Sequence, residues 1–189
     1  MASIVDICNM GLILIGDQVI ENLSDNNDRA IVANLFYQDT VDAVLRAHPW
    51  GFAKTRVELA QASGTPEFGW DYHFTLPASP LCLRVLEVEE DSPGQIPYSI
   101  EGGKLLCDES TLSILYIAQI TDTGLFDSLF TDTLAARLAM AFAMALTKQK
   151  KLIELAANVY DMKIREAQTV DGLESTKKEI YNDTLISVR

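Results

Sequence analysis

Apolar side chains recur every three or four residues in four segments of the chain, and this spacing predicts four amphipathic helices. Ser3 is a helix-capping residue at the start of the first segment, and Gly16 lies where a helix commonly ends. The second segment should end before Pro49, because proline disfavours helical geometry in the residue that precedes it. We predict helices over residues 3–16, 25–47, 127–147 and 149–167.

The pattern changes between the second and third helices, from about residue 52 to about residue 120. Short apolar runs are separated there by prolines, which is typical of β-strands joined by turns. Gly102 and Gly103 can both adopt the positive φ of a two-residue hairpin turn. We therefore expect an α+β fold, in which an antiparallel helical bundle of about four helices contains an inserted small antiparallel β region. The short connection after the first helix favours antiparallel packing of the first two helices.

The last part of the chain, residues 168–189, is mostly polar. Its largest apolar residues are Leu173, Ile180, Tyr181, Leu185 and Ile186. They are too sparse to build a core, so we predict one domain over residues 1–167 followed by an extended C-terminal arm. The arm is either disordered or becomes ordered on a partner, and the sequence leaves both alternatives open.

The chain is acidic, with 27 Asp and Glu residues against 15 Lys and Arg residues and a formal net charge of −12. This charge disfavours a protein that wraps and grips nucleic-acid phosphates. The simplest explanation is that it serves solubility. An acidic channel through which DNA slides without sticking is the alternative.

The N-terminal segment differs from a secretory signal, because it has no basic region and Asp6 and Asn9 interrupt its apolar run. The most apolar stretch, 134–146, is shorter than the roughly 18 residues of a membrane helix and contains Arg137. We therefore expect no membrane partner. Three widely spaced cysteines argue against a disulfide framework and for synthesis in a reducing cytosol.

Few residues offer catalytic or metal-binding chemistry. The two histidines, His48 and His73, lack the short spacings of typical zinc sites. Cys82 could in principle form a nucleophile pair with His73, but prolines separate the two residues and the spacing matches no known arrangement. We predict no catalytic residue, no metal and no cofactor, and a small hydrolase that uses His73 and Cys82 stays as an alternative.

One segment joins the second predicted helix to the β region. Pro49 ends the helix, and Trp50 and Phe52 supply large apolar side chains where the chain passes from one layer to the next. We expect a capping or packing role for His48 beside them. The sequence therefore predicts a structural junction formed by His48, Pro49, Trp50 and Phe52.

Several segments, taken in order, carry a resemblance to one protein family. They are NMGLILIG at 9–16, the helix over 30–45 with HPWGFA at 48–53, PEFGW at 66–70, CLRVL at 82–86, and the apolar helix over 134–146. The ordered set spans most of residues 1–170 and resembles the head-to-tail adaptor family of tailed bacteriophages, also called tail tubular protein A or head–tail connector proteins. Gly51 and the segment Ala78-Ser79-Pro80 depart from the residues that this family often carries there.

The resemblance implies a structural virion protein, not an enzyme, that forms a ring, usually dodecameric, beneath the portal protein. It implies a helical ring body, a β region that faces the next tail or nozzle protein, and a lumen through which DNA passes without sequence-specific binding. The arm would bind the portal, so its apolar residues Leu173, Ile180, Tyr181, Leu185 and Ile186 are the candidate contacts. The protein would occur in the host cytoplasm during assembly and then at the head–tail junction. Outside this family, a small bacterial protein-binding module stays as the alternative.

Overall fold

The computed structural model describes residues 2–89 and 96–174 of the chain. Four α-helices lie in these ranges: α1 Ile4–Leu14, α2 Asp28–Ala47, α3 Ser128–Phe142 and α4 Lys150–Leu173. The described part between α2 and α3 contains six strands: β1 Lys54–Glu58, β2 Tyr72–Thr75, β3 Cys82–Glu89, β4 Ser99–Glu101, β5 Lys104–Cys107 and β6 Ser113–Ala118. The predicted α+β class is therefore confirmed.

The first two helices begin at side chains that accept hydrogen bonds from the backbone. Ser3 caps α1, and its Oγ accepts from the Asp6 N–H at 3.1 Å while its own N–H donates to the Asp6 carboxylate at 2.8 Å. α2 begins at Asp28, later than predicted, because Asn27 is the residue whose side chain accepts from the first helical turn. Asp25 instead accepts N–H bonds within the preceding turn.

α3 lies at the centre of the helices, and α1, α2 and α4 each pack against it. The first two helices make more contact with α3 than with each other, so their predicted pairing is not the main packing. Small residues permit the close approach: a Cβ atom added at Gly11 of α1 would lie 3.1 Å from the carbonyl oxygen of Ala135. The buried alanines of α3 and the turn after it are Ala135, Ala136, Ala139 and Ala143.

α3 continues directly into a π-helical turn, Ala143–Thr147. By length and composition alone, the combined segment Ser128–Thr147 could cross a membrane. Of an 18-residue window in this segment, 50% is buried inside the protein, and Phe130 and Leu134 are completely buried in the core. Such burial is typical of the core helix of a folded domain.

The strands form two antiparallel sheets of three strands each, in the orders β1–β6–β3 and β2–β5–β4. β6 connects the helices to the β region because it is buried on both faces. Ile117 packs into the core formed by the helices, whereas Ile114 and Tyr116 pack into a second core between the sheets. Between β4 and β5, Gly102 and Gly103 form the hairpin turn with positive φ values of 56° and 76°.

α4 extends past the predicted helix end near residue 167 and stops at Leu173. Residues 168–173 therefore belong to the helix and not to a C-terminal arm. Leu173, predicted as an arm residue, is exposed in the last helical turn. The other four predicted arm residues, Ile180, Tyr181, Leu185 and Ile186, lie outside the described residues.

Candidate functional site

The segment after α2 leads the chain from the helices into the β region. His48 follows the helix in an extended conformation, with φ −141° and ψ 148°, as the residue before a proline prefers. The Trp50 N–H donates to the His48 carbonyl oxygen at 2.9 Å, and a 3₁₀ turn at Gly51–Ala53 then enters β1. The junction backbone is thus hydrogen-bonded from the helix end to the first strand.

Aromatic rings fill the space between this segment and α3. Trp50 is 1% exposed, and Phe130 on α3 is fully buried. The Phe130 ring centroid lies 5.1 Å from Trp50, 5.0 Å from Phe52 and 4.8 Å from Phe126. The indole Nε1–H of Trp50 donates to the Val44 carbonyl oxygen at 2.9 Å, so its one polar group is satisfied although it is buried. These contacts give the junction its apolar core.

The last turn of α4 reaches the junction through Asp171. Its Oδ2 lies 2.8 Å from His48 Nε2, and its Oδ1 accepts the Gly51 backbone N–H at 2.8 Å. Because a carboxylate only accepts hydrogen bonds, His48 Nε2 carries the proton that is donated. The His48 and Asp171 side chains are only 17% and 14% exposed to solvent. One largely shielded carboxylate therefore joins α4 to the connection between α2 and β1.

Polar contacts also hold the C-terminal half of α2 against the first sheet. Gln119 Nε2 donates to Asp42 Oδ2 at 2.7 Å. The Arg46 guanidinium donates to the Leu83 carbonyl oxygen, and Arg84 Nη1 donates to the Arg46 carbonyl oxygen at 3.4 Å. The helices and the first sheet are therefore connected by hydrogen bonds as well as by the aromatic core.

In a catalytic histidine–carboxylate pair, the carboxylate orients the histidine, which acts as a base. A nucleophilic side chain must then lie within hydrogen-bond reach of the histidine. The hydrogen bonds of the described residues give His48 no serine, threonine or cysteine side chain as a partner. Trp50 packs edge-on against the imidazole at 4.8 Å between ring centroids, and Gly51 occupies the second oxygen of Asp171. The geometry supports a structural role for the pair.

His73 and Cys82 do not form a nucleophile pair in the structure. His73 lies on β2 of the second sheet, with Nε2 3.1 Å from the Ser63 carbonyl oxygen, whereas Cys82 begins β3 of the first sheet. Burial raises the pKa of the Cys82 thiol, which disfavours the nucleophilic thiolate. In the described ranges no hydrogen bond joins the two side chains. The geometry gives the hydrolase alternative no support.

Asp171 is the junction residue that sequence reasoning missed. It lies in the segment 168–189, which the mostly polar composition assigns to the arm. A usable signal was present: Ile164, Ala167 and Val170 continue the spacing of three along one side of the helix. This pattern extends α4 far enough to include position 171.

Neither a metal site in the described residues nor a match to a known family assigns a function to the junction. In the part of the chain that the structure describes, no group of three or more His, Cys, Asp or Glu side chains could hold a metal ion. No family model and no curated protein matches the chain.

Proposed function

We propose that the protein is a structural head-to-tail adaptor of a tailed bacteriophage or prophage. The observation that most supports this is the ordered set of segments, over most of residues 1–170, that resembles the adaptor family. One of these segments, HPWGFA at 48–53, supplies the buried Trp50 and the hydrogen-bonding groups of His48 and Gly51 at the junction. These contacts explain the residues of the HPWGFA segment by their structural role, without a catalytic role.

In this proposal the four helices act as an antiparallel bundle that forms the body of a dodecameric ring under the portal protein. The β region faces the next tail or nozzle protein. The net charge of −12 suits a lumen through which DNA slides, because like charges keep the polymer from binding. The protein is then located in the host cytoplasm during assembly and in the virion afterwards.

The proposed portal-binding arm begins later than the sequence indicated. Deletion of residues 168–189 would remove Asp171 and with it the contacts to His48 and Gly51. Deletion of residues 175–189 leaves α4 complete and still removes Ile180, Tyr181, Leu185 and Ile186. The second deletion is therefore the one that tests portal binding without damage to the junction.

Negative-stain electron microscopy with a portal ring from the same phage or prophage genome tests the proposal. We expect the full chain to add a ring beneath the portal, and the chain that ends at Glu174 to melt normally without adding one. Portal binding by that truncated chain would remove the arm's role. A full chain that ignores the portal would overturn the adaptor proposal and favour the bacterial protein-binding module.

A further inference from the structure

Two exposed helix faces each carry two apolar residues between two charged residues. The charged residues are acidic on one face and basic on the other. The first face, on α2, is called here the acidic stripe and consists of Asp28, Ile31, Leu35 and Asp39, all solvent-exposed. The spacings of three and four residues place these side chains on one side of the helix. Leu35 is 67% exposed, which is far more than a core leucine shows.

The second face lies on α4 and is called here the basic stripe. It consists of Lys151, Leu155, Met162 and Arg165, and all four side chains are exposed. Their spacings of four, seven and three residues again place them on one side of a helix. Met162 is 68% exposed. A pair of apolar residues is thus bounded by an acid at each end on α2 and by a base at each end on α4.

The two stripes do not cover each other within one chain, because both are exposed in the folded monomer. None of the four boundary charges, Asp28, Asp39, Lys151 and Arg165, forms an ion pair within the described residues. Three acids flank the basic stripe on α4: Glu154 lies 3.7 Å from Lys150, Glu166 acts electrostatically on Lys163, and Asp161 is exposed four positions before Arg165. Lys151 and Arg165 themselves form no ion pair in the described part of the chain, so both are open to a second molecule.

We propose that the acidic stripe of one copy binds the basic stripe of a second copy of this chain. The stripes span about 16 Å and about 21 Å along their helices, so the long Lys and Arg side chains can reach both acids. A groove of about 550 Å³ beside the acidic stripe, lined by Leu23, Asn34 and Leu35 among others, offers space for an apolar side chain of α4. The apolar pairs supply burial, and the boundary charges determine which surfaces meet.

A contact between two different faces repeats from copy to copy, and it closes into a ring when the rotation permits. The closed ring rests on the proposed adaptor function, whereas the contact itself is argued from the two stripes alone. The two claims can therefore be tested separately.

Charge reversal of each stripe in the full chain tests the contact by sedimentation analysis over a concentration series. The acid-reversed variant carries Asp28→Lys and Asp39→Lys, and the base-reversed variant carries Lys151→Glu and Arg165→Glu. We expect the wild-type mass to rise with concentration and each reversal to weaken association by about 100-fold. The chain with all four substitutions should associate again, because both stripes have exchanged sign.

The matched control carries Glu58→Lys and Glu67→Lys, which change the net charge as the acid reversal does but lie on exposed positions of the β region. We expect this control to associate like the wild type. A wild type that stays monomeric up to about 1 mM overturns the proposal. So does equal association of all variants, or a fourfold variant that is not rescued although its melting is normal.

The outcomes also separate this contact from the adaptor function. Portal-bound rings that form equally well with both reversed variants would keep the adaptor function and overturn this contact. Loss of association in both reversed variants, rescue in the fourfold variant and no portal binding by any chain would support the contact and overturn the adaptor function.

Discussion

Asp171 Oδ2 lies 2.8 Å from His48 Nε2, although 123 positions separate the two residues in the sequence. The second oxygen of the same carboxylate accepts the Gly51 N–H at 2.8 Å. The last turn of α4 is thereby bonded to the segment that leads from α2 into β1. This contact extends the folded domain beyond residue 167, because Asp171 lies in the segment that polarity alone assigns to a C-terminal arm.

Substitution of Asp171 should therefore destabilise the domain. Asp171→Ala removes the acceptor for two N–H groups, and we expect a loss of about 1–3 kcal/mol in the free energy of unfolding. Hydrogen exchange at the Gly51 amide should accelerate together with it. The matched control is Asp161→Ala, because Asp161 is an exposed acid on the same helix. Equal stability of the two variants would contradict the role given to Asp171.

Trp50 should contribute mainly to stability and not to contacts with partners. The side chain is 1% exposed and packs against Phe130, so Trp50→Ala should cost about 3–5 kcal/mol in unfolding free energy. Trp70 is only partly buried, and Trp70→Ala should cost less than half as much. Chemical denaturation measures both. Normal stability of Trp50→Ala with a loss of assembly would make Trp50 a contact residue instead.

Local sequence signals were sufficient to predict where α2 ends, but not which helices pack together. Pro49 fixed the end of α2, and the helix does end at Ala47 before it. The pairing of helices depends on which surfaces meet in three dimensions, and the small Gly11 brings α1 onto α3 instead of α2. Asp171 could not be assigned to the junction, because its partners His48 and Gly51 are distant in the sequence. Apolar periodicity predicts helix faces, but it does not predict which groups a carboxylate binds.

Gly11 should resist substitution even by alanine. A Cβ atom there would lie 3.1 Å from the Ala135 carbonyl oxygen and 3.3 Å from the Ala139 backbone nitrogen, which cannot move independently of α3. We expect Gly11→Ala to destabilise by about 1–2 kcal/mol, despite the higher helix propensity of alanine. An added Cβ at Gly172 of α4 meets nothing within 4 Å, so Gly172→Ala should be neutral or stabilising. Thermal unfolding of the two variants distinguishes packing from propensity, and a stable Gly11→Ala variant would show that α1 can move away.

The Tyr37 hydroxyl should lower the stability of the domain. Its hydroxyl is buried and has no hydrogen-bond partner among the described residues. Removal of this group in Tyr37→Phe should stabilise the domain by about 1 kcal/mol at neutral pH. Tyr98 is 41% exposed, so Tyr98→Phe is the control and should change stability by less than about 0.5 kcal/mol.

The same substitution should change the response to alkali, because burial raises the pKa of the Tyr37 phenol from 10.0 to about 12. Above about pH 10 the unfolded phenol ionises while the buried phenol keeps its proton, so the wild type loses stability as pH rises from about 10 to about 12. Tyr37→Phe has no phenol to ionise, so its advantage over the wild type should widen across that range in denaturant unfolding curves. Burial also raises the pKa of the Cys8 thiol to about 12, so the variant should still lose some stability above pH 9, and Tyr37→Phe with Cys8→Ala should lose less. Parallel curves for wild type and Tyr37→Phe would show that the phenol ionises as easily in the folded chain as in the unfolded one.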